Sequence, residues 1–242
     1  MKKYEFVKGD TITIASGRTL KRIRALVEIA YFASAGDLGG YIESEKSLSQ
    51  TGNAWVFGDA WVFGDAWVSG DARVSGDARV FGNAWVFGDA CVSGDARVSG
   101  DARVSGNAFV FGDACVSGRA RVFGNTWVFG DARVFGDSWV SGDARVSGDA
   151  SVFGNSCVSG DSWVSGDACV SGDGQIFWVS KVGTANGTLT LYNTKDNSLE
   201  VTRGCFRGTI DEFLSKSEKQ HDDKTHLEYR LLIEVAYSRI KG

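Results

Sequence analysis

From Ala54 onward the chain repeats Ala-x-Val-(Phe/Ser)-Gly-(Asp/Asn) with a period of six, its valines running from Val56 to Val170 and the frame ending at Ile176. That makes 21 units. Four alternating residues per unit place Ala and Val on one face of a strand, and the variable residue with Phe or Ser on the other. Gly-Asp or Gly-Asn then supplies a corner, because glycine tolerates positive φ and the short polar side chain satisfies nearby backbone groups. Strand and corner alternating at period six predict a parallel β-helix. Its core is thin, since only Val and Ala point inward, so the ends need caps.

The flanks supply them. Residues 1–50 contain β-like runs at Tyr4 to Val7, Thr11 to Ile14 and Leu20 to Ile29, broken at Gly9 and Gly17, and then an irregular first coil through Ile42 and Leu48. Residues 51–177 are the repeat, and residues 178–242 form an α+β segment. In that segment Thr188 to Tyr192 and Leu199 to Thr202 read as a hairpin. Two helices follow, with capping boxes expected at Thr209 to Glu212 and Thr225 to Glu228. Leu227, Leu231 and Val235, with Ile233, Tyr237 and Ile240 alongside, are expected to form the buried helical face.

The six-residue unit resembles the hexapeptide repeat of left-handed β-helices, and this resemblance implies a left-handed all-β solenoid with three units per triangular coil. Twenty-one units then make 7 coils, a prism about 33 Å long at about 4.8 Å per coil. The whole chain also resembles phage- and prophage-encoded proteins with Gly-Asp-Ala-Arg-Val arrays. The resemblance rests on Gly36-Asp37-Leu38-Gly39-Gly40-Tyr41-Ile42 before the array and Gly204-Cys205-Phe206-Arg207-Gly208-Thr209-Ile210-Asp211-Glu212-Phe213 after it. It implies action in the host cytoplasm and assigns no active residue.

Composition follows from the repeat: of 32 glycines in 242 residues, 20 stand at its corners, followed by Asp fifteen times, Asn four times and Arg once, at Arg119. Net charge is +2 over residues 1–50, −7 over 51–177 and +1 over 178–242, a balance that predicts no sequence-specific DNA binding. The Met1-Lys2-Lys3-Tyr4-Glu5 start and the lack of a long apolar stretch predict neither a secretory signal nor a membrane span. Five cysteines without a C-x-x-C predict reduced thiols and no structural zinc.

Catalytic chemistry is not expected. Hexapeptide acyltransferases use a histidine base, and both histidines here, His221 and His226, lie outside the array, which also carries no inserted loop. The corner aspartates stand on convex edges rather than across a cleft. No catalytic residue, metal site or cofactor is therefore assigned.

The outward position before each valine is Trp seven times and Arg seven times. Grouped by coil, Trp55, Trp61 and Trp67 form an aromatic collar that, with Trp127, Phe129 and Trp139, predicts self-association as a homotrimer or homodimer. Arg79, Arg97, Arg103, Arg119 and Arg121, beside Trp85 and Phe109, form a cationic belt suited to a host protein or a nucleotide-like anion. The competing expectation is that these side chains stack on one another and cover their own backbone.

Overall fold

The computed structural model describes residues 2–242, apart from the side chain of Asp173. Twenty two-residue strands, Trp55–Val56 through Cys169–Val170, line up in three parallel sheets in which each residue pairs with the one 18 positions on. One coil is therefore three units. Arg97 N–H donates to Ala114 O and Ser99 N–H to Val116 O, each at 2.9 Å, and this pair of bonds recurs coil after coil. The chain is a β-solenoid of about 7 turns.

Every repeat valine from Val56 to Val170 is fully buried, and Ala54 through Ala168 line the same interior. Thr126, Ser138, Ser156 and Ser162 occupy four alanine positions there, also fully buried. Corners close through glycine for two reasons at once. At Gly112 φ is +71°, and an added Cβ would lie 3.1 Å from Gly130 N on the next coil, so both backbone angle and coil spacing exclude a side chain.

At one end β1 (Tyr4–Thr13) and β2 (Thr19–Ala25) form an antiparallel hairpin, and β3 (Leu38–Ile42) joins it to the solenoid by pairing with Trp61–Val62. Gly9 does not break β1: the register shifts between Phe6 and Thr11, and the strand continues as a bulge. Leu48 bridges to Val68, which completes the irregular first coil. Gly39 and Gly40 of the first motif are close-approach residues. A Cβ on Gly39 would sit 2.6 Å from Ile23 Cγ1, and one on Gly40 would sit 2.5 Å from Ala60 O.

At the other end the six-residue frame runs on to Ile176, but that residue opens an antiparallel strand, Ile176–Val182. Gly187–Asn193, Leu199–Arg203 and Phe206–Thr209 follow in the same four-stranded sheet, of which the sequence indicated only the middle hairpin. Thr202 Oγ1 donates to Trp163 O at 2.6 Å and Lys195 N–H to Asp167 O at 3.1 Å, which ties this sheet to the last coil.

Helices α1 (Ile210–Gln220) and α2 (Asp223–Lys241) pack against that sheet. The box at Thr209 forms, with Glu212 N–H donating to Thr209 Oγ1 and Thr209 N–H to Glu212 Oε2. Hydrogen bonding from Thr209, its backbone N–H first, holds the Glu212 carboxyl below its usual range. The second expected box does not form. Asp222 caps α2 by accepting from Thr225 N–H at 2.9 Å, and Glu228 instead accepts from Gly183 N–H. The expected helical face is corrected in part: Ile233 is buried and Ile240 packs against the same cluster as expected, alongside Thr225, Tyr229 and Ala236, while Leu227, Leu231, Val235 and Tyr237 are exposed.

Candidate functional site

The outward residues sort by sheet rather than by coil. The ten-stranded sheet carries Trp61, Arg79, Arg97, Cys115, Arg133, Ser151 and Cys169 in one ladder. The seven-stranded sheet carries Trp55, Arg73, Cys91, Phe109, Trp127, Arg145 and Trp163. On the six-stranded sheet the ladder is Trp67, Trp85, Arg103, Arg121, Trp139 and Cys157.

This arrangement takes the aromatic collar apart. Trp55 is fully buried, beneath Tyr4 of the N-terminal hairpin at 6.3 Å between ring centroids, and offers no surface to a partner. The cap that a thin solenoid needs at its open end covers that indole. Trp61 lies under the Arg79 guanidinium at 4.4 Å, and Trp67 meets Trp85 edge to face at 5.5 Å.

The cationic belt divides likewise. Arg79 and Arg97 share one sheet, Arg103 and Arg121 another, and Arg119 stands at a corner. Phe109 lies on the third sheet, tilted against Trp127 at 5.3 Å, and Phe129 stacks on Phe111 at 5.1 Å. Neither phenylalanine joins the arginines.

Four of the belt residues do converge. Arg103, Arg119, Arg121 and Trp85, with Asn83 and Asp101, line a shallow groove of about 330 Å³ on the six-stranded face. Its charges are partly answered within the molecule. Arg103 lies 5.2 Å from the Trp85 ring centre and Arg121 lies 4.9 Å from that of Trp139. Arg119 Nη2 donates to Asp137 Oδ2 at 2.7 Å, and Asn83 Nδ2 to Asp101 Oδ1 at 2.8 Å. The same face holds Trp67, Trp85 and Trp139, three of the four most exposed tryptophans, at 38–44% exposure. Trp127, the fourth, is on the seven-stranded face.

Burial raises the Cys91 thiol above its ordinary value, against the pull of Arg73. All five cysteines are free, and the four in the array lie at separate ladder positions. His221 ends α1 beside the Tyr229 ring, and His226 Nδ1 lies 3.3 Å from Ser217 Oγ.

A groove not indicated by the sequence, also about 330 Å³, opens where the last coil meets the C-terminal sheet. Asp143, Arg145, Asp161 and Trp163 face Thr188 and Arg203 across it. Its two walls are separated along the chain and have no shared periodicity, so only the docking of the cap brings them together.

A family model described as the YdcK beta solenoid repeat matches residues 72–88 and 90–106. The two matches begin 18 residues apart, which is the length of one coil. No curated protein matches the chain. No helix among the described residues is long and apolar enough to cross a membrane. Over those two stretches the chain is similar to the YdcK repeat, and with its three parallel sheets it is a β-solenoid repeat protein.

Proposed function

We propose that this protein is a non-catalytic interaction scaffold, a rigid prism that presents its six-stranded face to a protein partner. The observation that carries the reading is the concentration of Trp67, Trp85 and Trp139 on that one face, with Arg103 and Arg121 between them. Aromatic residues and arginine together are the usual composition of a protein interface core. The uninterrupted array supports the same reading, because no inserted loop builds a substrate cleft over any face. The two motifs flanking the array support a phage or prophage origin, with a host protein as the partner and the host cytoplasm as its place of action.

The test is face-specific. Trp85→Ala combined with Trp139→Ala is expected to abolish capture of the host protein, with the circular dichroism of the native chain retained. A chain that captures the same host proteins with and without these two indoles overturns the reading.

A second reading is favoured by the groove itself, since three guanidinium groups and an indole suit a nucleotide-like anion. A melting temperature raised by nucleotides in the native chain, but not in Arg103→Ala, supports it. No response across a nucleotide panel excludes it, because a ligand at 100 times its Kd adds about 2.7 kcal/mol of stability.

A further inference from the structure

Helix α2 turns Tyr229, Ile233 and Ala236 to the body of the protein and leaves an apolar row on its opposite side. Leu227, Leu231 and Val235 follow one another at four-residue steps and are 44%, 50% and 49% exposed. At about 1.5 Å per residue they form a continuous stripe about 12 Å long. Single exposed aliphatic side chains are ordinary on protein surfaces, whereas here three stand aligned in one row on one helix.

The charges beside the stripe identify the occupant. Arg230 and Glu234 flank it on one side, and their own ion pair is long at 4.0 Å and well exposed. Their midpoint is one residue from Leu231, which is also midway between Leu227 and Val235. A two-fold axis at Leu231 reverses the direction of the second helix and brings Arg230 of one copy within about 3 Å, along the helix, of Glu234 of the other, twice. Leu231 then meets Leu231, and Leu227 meets Val235. A parallel arrangement sets like charges side by side and aligns the two helix dipoles unfavourably.

We propose that α2 is a homodimerisation element, pairing antiparallel with α2 of a second copy about a two-fold axis at Leu231. The patch is self-complementary, as an isologous interface requires. It is separate from the six-stranded face and does not rest on the scaffold reading.

Light scattering over a concentration series tests it. The native chain is expected to move from the mass of one chain toward that of two, while Leu231→Asp stays at one chain and keeps the native circular dichroism. Arg230→Glu alone and Glu234→Arg alone are each expected to weaken the dimer about tenfold, the equivalent of about 1.4 kcal/mol spread over two symmetric pairs. The combined Arg230→Glu, Glu234→Arg chain is expected to recover the native association. Trp85→Ala with Trp139→Ala leaves this dimer intact, which separates it from contacts through the solenoid. A native mass of one chain at every concentration overturns the proposal. So does a dimer insensitive to Leu231→Asp, or a double charge reversal no better than either single one.

Discussion

Arg22 Nη1 stands 3.4 Å from Asp59 Oδ1, and this pair closes one end of a solenoid edge whose corner residues are all aspartates. Asp59, Asp77, Asp95, Asp113, Asp131, Asp149 and Asp167 follow at 18-residue intervals, and Lys195 Nζ meets Asp167 at 3.3 Å at the far end. The other two edges are interrupted by Asn or Arg, with bonds such as Asn107 to Asn125 and Arg119 to Asp137 between coils. Like charges one coil apart repel. Asp113→Asn, in the middle of the aspartate edge, is expected to raise the melting temperature by about 1–2 °C at low salt. The gain should fade near 1 M salt, where the screening length drops to about 3 Å. Calorimetry at two ionic strengths checks both parts.

Two buried serines at alanine positions differ in their bonding. Ser138 Oγ donates to Phe135 O at 2.9 Å, whereas Ser162 Oγ is buried with no partner among the described residues. Ser162→Ala is expected to stabilise the protein by about 1 kcal/mol, because an unsatisfied hydroxyl leaves the core. Ser138→Ala is expected to be destabilising by about 0.5–1 kcal/mol. Urea unfolding of the two variants side by side should give opposite signs.

Lys3 reaches into the first coil, where Nζ donates to Ala54 O at 2.8 Å. Burial lowers its ammonium to about 8 from an ordinary 10.5, against the pull of Asp71. Between those two values the unfolded chain holds a proton that the folded chain has released, so this group makes stability rise with pH across that window. Buried Tyr192, pushed up to about 12, acts in the opposite direction above about 10, as does Tyr4, whose phenol burial also raises. Urea unfolding from about pH 7.5 to 10 is therefore expected to show a rise in the native chain relative to Lys3→Met. Parallel curves for the two would refute the assignment.

Corner glycines answer to two constraints that can be separated. Gly17 has φ +78° with open space around its Cβ position, whereas Gly112 has φ +71° and the next coil 3.1 Å away. Gly17→Ala is expected to cost about 1–2 kcal/mol from backbone strain alone. Gly112→Ala should cost clearly more, since the coil spacing must open as well. Equal losses in thermal unfolding would show that coil contact adds nothing.

Much of this architecture is legible in the order of residues along the chain. The period of six identifies the buried valines and alanines, because a strand alternates faces and a corner restarts the alternation in the same phase. Thr209 and Glu212 announce the start of α1 for an equally local reason, a reciprocal hydrogen bond within one turn. The aspartate edge was also within reach, since reading every eighteenth residue isolates it. Grouping side chains by coil instead of by ladder hides it, as it hides the gathering of Trp67, Trp85 and Trp139 on one face.

Other outcomes depend on contacts between distant segments. Trp55 and Trp67 occupy identical repeat positions, yet the N-terminal hairpin covers the first and leaves the second 38% exposed. Along α2 the apolar residues supply more than one possible face. Packing against the C-terminal sheet selected Tyr229, Ile233 and Ala236 and left Leu231 outside. The solenoid follows from local rules alone, because its inward positions and corners repeat every six residues. Which outward side chains remain free depends instead on how the two non-repeating caps dock onto the ends and which surfaces they bury.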